Sequence, residues 1–225
     1  GHKMRKALSA LAVLAIALVA LMIPIAGATT TYTTTIQVVG PTNSALSSAT
    51  VKIFATNGTM ITSGTTNSTG YVTLSLANGT YVALVTGPHY YIFELFKVAG
   101  TTKVVINATK LHYVNVTSLP ATTSFTAKLD GLVPVTFNTN VTIYGDKNAT
   151  LTFPSSFVSF PYMYKFANVK NATGTYNTST IFVNMTSANQ VVTATYTQSI
   201  AFTSPLFMII VALLLIAVVA GAYFA

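Results

Sequence analysis

Apolar and polar positions divide this chain into three stretches with different patterning. Residues 7–28 and 206–225 are continuous apolar runs without a charged side chain, whereas residues 31–200 alternate apolar and polar at period two. No helical period runs through the middle region, so it is predicted to be all-β. In its first half strands are expected at residues 34–39, 50–54, 60–65, 71–76, 81–85, 90–98 and 103–107, with Val72, Leu74 and Leu76 on one face of the fourth. Asn57-Gly58 and Asn78-Gly79 predict hairpins, because the favoured two-residue turn needs positive φ at both central positions. In the second half strands are expected at 111–117, 124–128, 133–137, 141–144, 150–153, 180–186 and 191–196. Pro154 and Pro161 interrupt the aromatic positions Phe153, Phe157, Phe160, Tyr162, Tyr164 and Phe166, which places that stretch in a loop or at a sheet edge. Alternate members of it should fill a core, and any left exposed would mark a partner surface.

The outer runs read as membrane segments. Each is about 20 residues, and at roughly 1.5 Å per helical residue that crosses a hydrocarbon core of about 30 Å. The first follows His2, Lys3, Arg5 and Lys6 and ends in Ala26-Gly27-Ala28, so residues 1–28 read as a secretory signal cut after Ala28 or retained as a transmembrane helix. The second, residues 205–225, reads as a C-terminal anchor. Both readings keep the basic start inside and put residues 31–200 outside the cell membrane.

Short strands at this count and spacing fit an immunoglobulin-like sandwich. The run Ala45-Leu46-Ser47-Ser48-Ala49-Thr50-Val51-Lys52-Ile53 is followed by Gly64-Thr65-Thr66-Asn67-Ser68-Thr69-Gly70-Tyr71-Val72-Thr73-Leu74 and Asn78-Gly79-Thr80-Tyr81-Val82-Ala83-Leu84-Val85. Together they resemble a carboxypeptidase regulatory-like domain over about residues 33–109, with Ala45 where proline is common. That resemblance implies a transthyretin-like β-sandwich with a structural or adhesive role and no catalytic residue set. The ending Asn184-Met185-Thr186 through Val191-Val192-Thr193-Ala194-Thr195-Tyr196 is similar to small β repeats of bacterial and archaeal surface proteins, over about residues 110–198. The expected organisation is therefore two Ig-like or transthyretin-like β-sandwich domains in tandem, 31–109 and 110–200, flanked by the signal or transmembrane helix and the C-terminal transmembrane helix. As a whole the chain resembles an archaeal envelope protein. Arg5-Lys6-Ala7-Leu8-Ser9 also resembles the processing site of archaeal type IV pilins, which keeps open a filament subunit cut near Ala7, although a second apolar segment is unusual for one.

Composition narrows the chemistry. Without cysteine there is no disulfide, thiolate nucleophile or Cys-type zinc site. The formal charge is +8, but Lys3, Arg5 and Lys6 belong to the leader and the other lysines are scattered, so no nucleic-acid surface is expected. Glu94, Asp130 and Asp146 are the only carboxylates, which predicts a weak dependence of stability on pH. Drawing a hydrolytic carboxylate pair from those three would require the fold to gather them. Glu94 reads as a charge kept wet or paired beside Lys97, Asp130 and Asp146 read as turn residues, and Asp146 with Asn148 is too little for calcium. No enzyme, cofactor or metal is expected. Ten of the fourteen asparagines have Ser or Thr two positions on: Asn57, Asn67, Asn78, Asn107, Asn115, Asn140, Asn148, Asn171, Asn177 and Asn184. They are candidate acceptors for N-linked glycans, although polar pairs at i and i+2 on a wet strand face inflate the pattern. The partners this reading names are the lipid bilayer, N-linked glycans, and other envelope proteins or copies of the chain itself.

Overall fold

The computed structural model describes residues 3–4, 27–129, 133–201 and 205–225. Most of the expected leader, together with Asp130, lies outside the described residues. Contacts divide the chain into residues 1–31 and 32–225, and the fold below belongs to the second unit.

That unit is mostly β. A three-stranded sheet joins β1 (Thr31–Val39) to β4 (Tyr71–Ala77) on one side and, in parallel, to β7 (Thr102–Asn107) on the other. A four-stranded antiparallel sheet runs β10 (Val133–Asn138), β9 (Ser124–Leu129), β12 (Asn148–Thr152), β16 (Thr180–Asn184). The remaining strands form one large sheet. Its path is β13 (Ser156–Ser159), β14 (Tyr162–Asn171), β17 (Gln190–Ile200), β8 (His112–Leu119), β11 (Val141–Gly145), β6 (Tyr90–Val98), β5 (Gly79–Gly87), β2 (Thr50–Ala55), β3 (Met60–Thr65), with β15 (Gly174–Tyr176) added on β14. Two of its pairs are parallel, β8 with β17 and β6 with β11. The second carries the ladder without a break from residues before 110 to residues after it.

Alternation along β5 explains how the sheets stack. Tyr81 through Val85 are all buried, and successive side chains point to opposite faces. Ala83 and Val85 join Ile36, Val51, Leu76 and Ile106 in one core, whereas Val82 and Leu84 join Val114, Phe125, Leu151 and Val192 in another. The three-stranded and four-stranded sheets therefore cover opposite faces of the large sheet, and β5 is covered on both along Tyr81–Val85. An uninterrupted apolar run is what such a doubly covered strand requires.

Turn chemistry departs from the expected hairpins in two places. At Asn57-Gly58 the β2–β3 hairpin forms, but only Gly58 has positive φ (90°). Its N–H donates to Ala55 O and Ala55 N–H to Thr59 O, which is the three-residue loop with a glycine bulge. At Asn78-Gly79 no hairpin forms, because β4 and β5 belong to different sheets. This dipeptide is a crossover, closed by the Tyr81 hydroxyl donating to Ala77 O at 2.7 Å. The aromatic stretch lies at a sheet edge in β13, as expected, and is corrected for β14. Pro154 precedes β13 and Pro161 lies in the β13–β14 turn, so both prolines fall outside the ladders and β14 runs as an interior strand between β13 and β17.

After the last strand, α1 (Pro205–Phe224) is an apolar helix of 20 residues with no buried side chain. It is long and apolar enough to cross a membrane.

Candidate functional surfaces

The sequon asparagines share a local geometry. Asn67, Asn107, Asn171 and Asn184 each accept, through Oδ1, from the backbone N–H and the hydroxyl of the threonine two residues on, at 2.6–3.0 Å. Asn57 accepts from Thr59 N–H alone, at 3.0 Å. These are Asx turns at strand ends, which gives the Asn-x-Thr spacing a structural cause of its own. Asn78 accepts from Gly100 N–H (2.8 Å) and Asn115, on β8, from the Thr142 hydroxyl (2.6 Å). Asn140 occupies the left-handed region (φ 63°) in the β10–β11 turn, and Asn177 stands exposed between β15 and β16. None of the ten is buried. Among the described residues, no Nδ2 of these ten donates a hydrogen bond to the protein, so where the chain holds a carboxamide it holds it by the oxygen.

One titratable cluster forms on the large sheet. The parallel register sets Tyr144 opposite Ile92, so two residues on, Asp146 follows the β11 end beside Glu94 of β6. The antiparallel neighbour β8 sets His112 opposite Gly145, and His112 Nδ1 lies 3.6 Å from Asp146 Oδ1. Burial pushes the Glu94 carboxyl above its ordinary pKa, and the Asp146 charge adds to the shift. Glu94 Oε2 and Asn148 Oδ1 are shut off from solvent with no hydrogen-bond partner. Strand alternation puts Lys97 on the opposite face from Glu94, and among the described residues no ion pair joins them. Glu94, expected to be kept wet or paired beside Lys97, is instead half-buried and close to Asp146. No group of three or more His, Asp or Glu side chains among the described residues is placed to hold a metal ion.

Nothing in the linear spacing of Glu94, His112 and Asp146 announces this cluster. Its signal is the register of two non-sequential strand pairs.

The aromatic stretch divides by face. Phe153 is fully buried against Phe125 (5.5 Å between ring centres), and Tyr164 stacks on Phe157 at 4.8 Å. Tyr196 meets Phe157 and Phe166 edge-on at 4.9 and 5.7 Å, and its hydroxyl donates to Pro154 O at 2.8 Å. Burial pushes the Tyr196 hydroxyl up to about 12. Phe160 and Tyr162 remain exposed at the β13–β14 turn.

No family model matches the chain, and no curated protein matches it in sequence. Among solved structures it is similar to the Bacillus anthracis TIE protein, with TM-score 0.30 and 13% identity over 76% of this chain and 34% of that one. It is also similar to a C-terminal fragment of the pilus adhesin SpaC from Lactobacillus rhamnosus GG, with TM-score 0.21 and 10% identity over 74% of this chain and 97% of that one. The open conformation of the same adhesin gives TM-score 0.21 and 10% identity, over 76% of this chain and 31% of that one. The chain thus spans about a third of the TIE protein's length.

Proposed function

We propose that this is a membrane-anchored, glycosylated surface protein with a structural or adhesive role, in which α1 crosses the bilayer and residues 31–200 stand outside. The observation that carries it is the contrast within one chain: an apolar helix with no buried side chain follows a cysteine-free β region in which none of the ten sequon asparagines is buried. A β region with few charges, no thiol and abundant Thr, Ser and Asn fits an envelope exterior of the archaeal kind. In this reading the two cores are Ig-like or transthyretin-like sandwiches that share the large sheet. The work is done by shape, coating and contact with other envelope proteins or copies of the chain, without turnover.

Intact-mass analysis of protein purified from its native membrane tests the reading. The expected result is a membrane-bound species heavier than its polypeptide by several glycans, with mass lost stepwise as sequon asparagines are replaced by glutamine. Unmodified protein in the soluble fraction overturns it. The same measurement locates the mature amino terminus. A start at Thr29 fits the anchored protein, and a start near Leu8 fits a pilin-like subunit instead.

A further inference from the structure

The β13–β14 hairpin ends in a cluster of apolar side chains that the described residues leave largely exposed. Val158 is 65% exposed and Phe160 is 70% exposed, with Tyr162 and Ile200 exposed beside them. From Ser155 to Tyr164 the sequence has no charged residue. A water-facing turn normally favours polar or charged residues, so this composition calls for a non-aqueous neighbour.

The connections of this tip identify the neighbour. Tyr162 pairs with Ile200 at the end of β17, and Ala201 N–H donates to Pro161 O at 3.0 Å. β17 is the strand that leads into α1, and the Phe160 ring lies 5.7 Å from the ring of Phe207 in the helix's first turn. A side chain held against the first turn of a membrane-crossing helix sits at the depth where that helix enters the bilayer. At that depth aromatic rings are favoured, with apolar edges in the acyl boundary and a tyrosine hydroxyl among the headgroups.

We infer that the Phe160-Pro161 hairpin tip is a second membrane contact, with Val158, Phe160 and Tyr162 seated in the interfacial layer of a phospholipid bilayer beside α1. The inference rests on the proposed anchoring by α1. It gives the β region two points of attachment, the helix and the hairpin, and so limits how it tilts over the membrane.

The chain has no tryptophan, so a single introduced indole reports its own surroundings. Three full-length variants serve: Phe160→Trp, Val158→Trp as a second reporter at the tip, and Ile61→Trp on β3. β3 is the opposite edge of the large sheet, eight strand spacings or roughly 40 Å away. Each is reconstituted into phosphatidylcholine vesicles with and without brominated acyl chains, and flotation of the same samples checks anchoring. The expected result is flotation of all three. At the tip, emission is blue-shifted relative to the β3 reporter and bromine quenching is several-fold stronger. Flotation with tip reporters quenched no more than the β3 reporter overturns the membrane contact while leaving the anchor intact. A blue shift without bromine quenching overturns it too, because protein, in the form of a second copy, then covers the tip. Failure to float overturns the anchoring itself and the inference with it.

Discussion

Single side chains in this protein carry consequences that the folded register decides. Glu94 has a raised folded pKa, so the folded state holds its proton more tightly than the unfolded chain does. Its contribution to stability is complete below the unfolded carboxylate pKa and is lost as pH rises through the folded value. Stability should therefore increase on acidification from neutral pH, and Glu94→Gln should flatten that slope in melting curves recorded across the range. Asp146→Asn removes the second cause of the shift and should lower the Glu94 titration midpoint followed by NMR. Tyr196 behaves alike at the alkaline end. Its stabilising contribution persists below the ordinary tyrosine pKa and disappears as pH climbs toward about 12. Replacing it with phenylalanine strands the Pro154 carbonyl and should cost about 1–2 kcal/mol in denaturant unfolding at neutral pH. The sparse acids of the sequence foretell a muted pH response. Its direction is not legible there, because Glu94 and Asp146 meet only through the parallel β6–β11 pair.

At the level of elements, most strands were readable and most of their partners were not. Period-two alternation marks β2, β4, β8 and β9 directly, since one face of each is buried and the other is not. Asn78-Gly79 misleads, because a dipeptide suited to a tight hairpin serves equally at a corner between two sheets. β14 was obscured by the prolines flanking its aromatic run. The clearest agreement is the turn Asn67–Gly70, where Gly70 has φ 81° and an added Cβ would stand 2.7 Å from Val38 O. Gly70→Ala combines left-handed backbone strain with that collision and should cost about 1–3 kcal/mol. Thr66, just before the turn, is buried, donates to Leu46 O at 2.6 Å and accepts from Ala49 N–H at 2.9 Å. Thr66→Val should cost a further 1–3 kcal/mol, roughly, because a half-buried carbonyl and a buried N–H both lose their side-chain partner. Thermal denaturation of the two single variants checks both values.

Over the whole molecule, the large sheet is common to both cores, and β5 contributes to each with alternate side chains. A charge on either of its faces is therefore buried: Ala83→Asp and Leu84→Asp should each prevent folding rather than loosen one half. By the same argument Leu151→Ala in one core and Ile106→Ala in the other should each cost about 2–5 kcal/mol. Calorimetry should show one transition moving in both variants, and separate transitions moving independently would contradict the coupling. The last strand sets the mechanical character of the whole. Tension transmitted along the polypeptide beyond Ala201 enters β17 lengthwise, and β17 is held by antiparallel pairing to β14 and parallel pairing to β8. Such a pull loads many ladder bonds in shear at once instead of peeling them singly, so a tug at the carboxyl end meets one of the best-braced strands in the molecule. Single-molecule extension from that end should rupture at higher force than extension applied at the β3 edge.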